Sequence, residues 1–294
     1  MKEEERAAQL CGTLLHSYDR SAMAGFMSAC RRIGLHLARA VKLIPPNVRR
    51  MRDGPFDGTG NINVYKTMNV FLSRGKDITK IVGRKRVVDA RVLHLAVLFD
   101  DSNSMSAWWR SERLGRPVRD SESPHSFAKV AVAAVAESFG KQANSLTLVA
   151  FGSKAKLFKR LDFRELIALN GSGATRLDLA LEELRKIKWE RRGGAKFLLV
   201  LTDGVPEAGN ENAREDAAIQ RRCADLMAYY ARLGVRVLYI TLTHEKALAE
   251  KKIGEHTCES YAQLLRRRHV VVAEAKDIRA LGSTLFTALK EAAA

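Results

Sequence analysis

Asp100, Ser102 and Ser104 occupy alternate positions in Val97-Leu98-Phe99-Asp100-Asp101-Ser102-Asn103-Ser104-Met105, directly after an apolar run. A carboxylate followed by two hydroxyls on one tight loop is a set of hard oxygen donors, the kind that suits a divalent cation such as Mg²⁺. Two other segments supply the same chemistry. Thr175 lies in Gly171-Ser172-Gly173-Ala174-Thr175, immediately before a helical pattern, and Asp203 closes the run Phe197-Leu198-Leu199-Val200-Leu201-Thr202, with Gly204 after it. Each motif alone is unspecific, because Asp and Ser in turns routinely bond nearby backbone amides. Together, each at a strand end or helix start, they make Asp100, Ser102, Ser104, Thr175 and Asp203 a candidate metal site.

The elements that must carry these residues follow from hydrophobic patterning. From residue 92 onward, continuous apolar runs of strand length (92–100, 145–151, 195–202, 235–243, 269–273) alternate with helical patterns (126–139, 177–187, 213–233, 261–267, 278–292). Strands that are apolar throughout are buried on both faces, so the pattern predicts an α/β fold, an open Rossmann-like, mainly parallel sheet with helices on both faces. In such sheets ligands bind at the carboxyl ends of the strands, where all three motifs fall. Before this lies a different pattern. Residues 3–43 space their apolar positions for two or so amphipathic helices, separated near 17–21 and closed by Pro45-Pro46. The run Asp53-Gly54-Pro55-Phe56-Asp57-Gly58-Thr59-Gly60 is turn chemistry and marks a boundary, with short elements expected at 62–73 and 81–90. The organisation expected is a helical N-terminal extension over 1–53, a connecting segment over 54–90 and the α/β domain over 91–294.

The order Asp100-x-Ser102-x-Ser104, Thr175, Asp203 resembles the metal-ion-dependent adhesion site (MIDAS) of von Willebrand factor A (vWA) domains, over about residues 91–290. That resemblance implies Ser102, Ser104 and Thr175 as inner ligands, with Asp100 and Asp203 acting largely through bound water. An ion held in this way is left incompletely neutralised, and an Asp or Glu carboxylate from a partner protein completes its coordination. The implied role is a metal-dependent protein–protein interaction module, not an enzyme. Mg²⁺ is the expected cofactor, with Mn²⁺ or Ca²⁺ as alternatives. Asn103 stands where many members carry glycine, and Asn tolerates the left-handed backbone better than other non-glycine residues. Asp101 is expected to face solvent, the alternative being that it raises cation affinity from behind the ligands. Asp101, Trp108 and Trp109 are the candidate partner-binding residues, Trp108-Trp109-Arg110 being the aromatic–basic cluster that follows the metal loop.

The segment 55–63, the approach through Asp89-Ala90-Arg91-Val92 and Leu114-Gly115-Arg116-Pro117-Val118 are similar to cobaltochelatase-type members, which work beside AAA+ ATPases of the MoxR class. This makes an adaptor for a MoxR-type ATPase the expected specialisation. The formal charge of +17 is weighted toward the first ninety residues and would attract nucleic acid or an acidic protein through its long-range field. An alternative is therefore a basic, nucleic-acid-associated vWA protein like the Ro family, although the N-terminal part is too short for that family's helical repeat. A structural, self-assembling role is a further alternative. No nucleophile motif or P-loop G-x-x-x-x-G-K-[ST] is present. No run approaches the length of a membrane span, and the start Met1-Lys2-Glu3-Glu4-Glu5-Arg6 is unlike a secretory leader, so the expected location is cytoplasmic. Cys11, Cys30, Cys223 and Cys258 are too few and too widely spaced for a disulfide framework or zinc cluster, and free thiols are expected, with a Cys11–Cys30 or Cys223–Cys258 bridge as the alternative.

Overall fold

The computed structural model describes residues 3–43, 48–55, 61–62, 64, 67–68, 82–89, 93–139, 145–158, 162–189, 194–210, 212–242, 253–275 and 287. They divide into two compact units, one formed by Met1–Ile44 with Leu93–Ala294, the other by Pro45–Val92.

In the larger unit, α1 (Glu3–His16) and α2 (Arg20–Leu43) are separated where Asp19 takes the amides of Ser21 and Ala22 on its carboxylate, an N-cap that starts the second helix. The sheet strands are β4 (Leu93–Asp100), β5 (Ser145–Phe151), β6 (Ala155–Phe158), β7 (Ala195–Thr202), β8 (Val235–Thr241) and β9 (Val271–Glu274), in the order β6-β5-β4-β7-β8-β9. All pairings are parallel except that of the edge strand β6, which folds back antiparallel on β5. β4 is buried at every position, as expected of a strand between two neighbours with helices above and below.

The alternation along β4 splits its side chains between two cores. Leu93, Leu95, Val97 and Phe99 face α1, α2 and the helix α4 (Pro124–Phe139), while Ala96 and Leu98 face α6 (Leu177–Lys186), α7 (Ala213–Arg232) and α8 (Cys258–Arg266). The N-terminal helices are part of this unit: Phe26, Ala29 and Cys30 of α2 pack in the same apolar cluster as Val130 and Ala134 of α4. Two short helices complete the order, α3 (Ala107–Leu114) and α5 (Phe163–Ile167). The chain leaves β4 toward β5 and returns through α6 to β7 on the other side of β4. This reversal opens a crevice at the carboxyl ends of β4 and β7, where open α/β sheets take ligands.

The fold class is thus the one predicted. Differences from the sequence reading are local. α3, α5 and β6 arise from segments whose patterns are too short to register as elements. The predicted closing helix over 278–292 lies outside the described residues except at 287, as do parts of the predicted elements 62–73 and 81–90.

The smaller unit holds an antiparallel sheet, ordered β1-β3-β2, of β1 (Val48–Pro55), β2 (Asn61–Ile62) and β3 (Val82–Asp89). Residues 48–53, placed by sequence with the helical extension, are strand. Val48 pairs with Asp89 and Pro55 with Val82. Asp53-Gly54-Pro55, read as turn, belongs to β1.

All four cysteines are free thiols, Cys11, Cys30 and Cys223 buried. Burial raises the Cys11, Cys30 and Cys223 thiols above their ordinary range, so they remain protonated and inert. Among the described residues no helix is long and apolar enough to cross a membrane.

Candidate metal centre

Asp100 ends β4 with no exposed surface. Its Oδ1 accepts from the Ser102 amide at 2.9 Å and its Oδ2 from the Thr202 hydroxyl at 2.5 Å, across the β4–β7 pairing. Burial, and then the negative charge of Asp203, push the Asp100 carboxyl well above the usual carboxylate range, against hydrogen bonds from Thr202 and Ser102 that lower it.

Above Asp100 runs a contiguous line of oxygens. Ser102 Oγ lies 3.1 Å from Ser104 Oγ, and Ser104 Oγ donates to Asp203 Oδ1 at 2.9 Å. These are hydrogen-bond spacings, and they are also the edges of an octahedron around a small cation, about 3.0 Å when the metal–oxygen bonds are about 2.1 Å. Among the described residues no group of three or more His, Cys, Asp and Glu side chains could hold a metal ion.

The loop bearing Thr175 is locked to the Asp100–Ser104 loop through backbone. Asn103 N donates to the Gly173 carbonyl at 3.1 Å and Gly173 N donates to Asn103 Oδ1 at 2.8 Å, while the Ser172 amide reaches the Asp101 carbonyl at 2.6 Å. Thr175 follows this clasp, 3% exposed, and its backbone bridges to Glu207 beyond β7. Two glycines make the approach possible. Gly173 has φ +77° and lies against Ser153, whose Oγ would be 1.8 Å from an added Cβ; a Cβ at Gly152 would meet the Ser172 carbonyl at 2.4 Å.

The structure joins Asp100 to Ser102, Ser102 to Ser104 and Ser104 to Asp203 by direct contacts, and ties the loop that carries Thr175 to the Ser102 loop through the clasp. Three expectations change. Asn103 is not left-handed: it opens a 3-10 turn, Asn103–Met105, and uses its side chain as half of the clasp. Asp101 does not face solvent: its Oδ1 accepts from the Gly171 amide and from His125 Nε2, both at 2.9 Å, which removes it from a partner surface. Burial, helped by the Lys129 charge, lowers His125 to about 4, so the imidazole is neutral and acts as a donor. The two tryptophans divide. Trp108 is 52% exposed, whereas Trp109 is half-buried, carries Arg113 over its ring at 5.4 Å and lines a cavity of about 610 Å³ beside Asn103 and Ser104.

Sequence reasoning grouped Arg110 with the tryptophans of the aromatic–basic cluster and missed its part in the site: it is 1% exposed. Its Nε donates to the Ser104 carbonyl at 2.8 Å and its Nη2 to Asp203 Oδ2 at 2.7 Å. A signal existed: Ala107, Arg110 and Leu114 share one helical face at i, i+3 and i+7, opposite Trp108. Lys129 was also missed. Buried in α4, it donates to the carbonyls of Ile167 and Leu169 and so fixes the segment leading into Gly171.

No family model and no curated protein matches the sequence. Among solved structures, the PilB minor pilin from Streptococcus sanguinis is similar with a TM-score of 0.50 and 16% identity, covering 72% of this chain and 64% of that one. A point mutant of that pilin gives the same TM-score and coverage at 13% identity. Proximal thread matrix protein 1 from the mussel byssus, solved with a zinc-occupied MIDAS motif, is a looser match, with a TM-score of 0.43 and 18% identity over 79% of this chain and 52% of that one. The chain spans less than two thirds of the pilin's length. What it has in common with the pilin is the fold.

Proposed function

We propose that the crevice at the ends of β4 and β7 binds a divalent cation of the oxygen-preferring class, Mg²⁺ first, and that the protein uses it to hold a partner protein. The observation that carries this reading is the continuous oxygen line Ser102 Oγ, Ser104 Oγ, Asp203 Oδ1 above a fully buried Asp100. Ser102, Ser104 and Thr175 are the ligands assigned to this chain, with Asp100 and Asp203 supplying charge and holding the hydroxyls in place. A bound cation would supply a Lewis-acidic point able to accept a carboxylate from outside. The residues around it serve binding and orientation: the cavity by Trp109 and Arg113 admits a side chain, and Trp108 offers exposed aromatic surface next to it.

This is a binding role without catalytic turnover. The partner class suggested by the resemblance in sequence is a MoxR-type AAA+ ATPase. Capture from a lysate of the source organism on the immobilised full chain, in Mg²⁺ and in EDTA, tests the reading. Partners retained in Mg²⁺ are expected to be lost in EDTA and with Ser102→Ala; a set of partners indifferent to both contradicts it.

A further inference from the structure

Arg110 gives this rim a feature that the proposed cation site does not require. Asp203 divides its carboxylate, Oδ2 to the Arg110 guanidinium at 2.7 Å and Oδ1 to the Ser104 hydroxyl at 2.9 Å. The same guanidinium holds the Ser104 carbonyl, so one buried cation touches two of the five proposed ligand residues from behind. The ion pair is almost wholly removed from water, with side chains 1% and 4% exposed. In such a place screening is weak, and a fixed positive charge one carboxylate away both repels an incoming dication and weakens the attraction of the carboxylate it already neutralises.

We propose that Arg110 is an internal counter-cation that sets the affinity of the rim for divalent ions. It keeps Asp203 in position when no ion is bound, and it holds the affinity for the ion alone below what two uncompensated carboxylates would give. A carboxylate from outside then restores the missing negative charge, which couples tight ion binding to partner binding. This rests on the cation-binding reading above.

Two effects of Arg110 oppose one another, and substitutions separate them. Arg110→Gln keeps a hydrogen-bond donor of similar reach and removes the charge, whereas Arg110→Lys keeps the charge and loses the fork. If positioning were the whole role, both variants would bind the ion more weakly than the wild type. If charge dominates, the glutamine variant binds more tightly and the lysine variant stays close to the wild type.

The test is calorimetric titration of the full chain with MnCl₂, together with unfolding midpoints across a Mn²⁺ series. The midpoints read the same coupling even where the ion-free variant is unstable, because an ion that binds only the folded state raises them. The expected result is roughly tenfold or more tighter Mn²⁺ binding by Arg110→Gln, from loss of a weakly screened repulsion, with a larger Mn²⁺-induced rise in midpoint than in the wild type. Binding by Arg110→Gln that equals or falls below the wild type overturns the role of Arg110 while leaving the cation site standing. If neither the wild type nor Arg110→Gln takes Mn²⁺ while folded, the cation reading fails and this proposal with it. Mn²⁺ binding by Arg110→Gln alone supports both.

Discussion

Asp203→Ala is expected to lower the unfolding free energy by about 3–5 kcal/mol, because it removes a carboxylate paired with a buried guanidinium. Arg110 and Asp203 have side chains 1% and 4% exposed, so neither can recover its lost partner from bulk water. The alanine also removes the acceptor of the Ser104 hydroxyl, the end of the oxygen line, so the response to Mg²⁺ should vanish as well. Urea denaturation of Asp203→Ala, Arg110→Met and the double variant checks the mechanism. Removing both charges should cost less than the two single losses added together, because the penalty in each single variant is the charge left behind. Additive losses would mean that the two residues do not act as a pair.

A comparable loss is expected from a substitution that adds one methyl group and touches no proposed ligand. Gly173→Ala should cost about 2–4 kcal/mol, combining about 1–2 kcal/mol for a non-glycine residue in the left-handed region with overpacking against Ser153. Gly173 lies at φ +77°, and an added Cβ would fall 1.8 Å from Ser153 Oγ and 2.9 Å from its Cβ. Both backbone groups of Gly173 are committed to Asn103, so displacing it unfastens the Thr175 loop from the Ser102 loop. Cation affinity should therefore fall together with stability. Adding Ser153→Ala removes the nearer clash and should restore part of the stability, the remainder being backbone strain. Denaturation of the single and double variants measures both; a double variant no more stable than Gly173→Ala would show that Ser153 is not what the methyl meets.

The parts of this protein that were legible in the sequence are those governed by period and by strand ends. β4, β5 and β7 are continuous apolar runs that can only be buried on both faces, and the donors that follow them in sequence lie on the rim where such sheets take ligands. What was not legible depends on long-range partners. The roles of Asn103 and Asp101 are decided by Gly171 and Gly173, about seventy residues away, and nothing local to either residue shows that their side chains turn inward. Arg110 was legible in part. Its neighbours form an amphipathic turn that places it on the inner face, but a buried arginine is sensible only once Asp203 is known to stand opposite. The strand β1 was hidden for a different reason. Asp53, Gly54 and Pro55 favour turns, and their pairing with Arg84, Gly83 and Val82 overrides that local preference.

The central claim is that the oxygen line between β4 and β7 is a cation site. Mn²⁺ titration followed by the electron paramagnetic resonance of free Mn²⁺ measures it directly, counting ions bound per chain in the wild type, Ser102→Ala and Ser104→Ala. The account predicts one ion per wild-type chain, displaced by excess Mg²⁺, with affinity reduced by about tenfold or more when either hydroxyl is removed. Retention of no Mn²⁺ by the folded wild-type chain, or identical binding by the wild type and both serine variants, would contradict it.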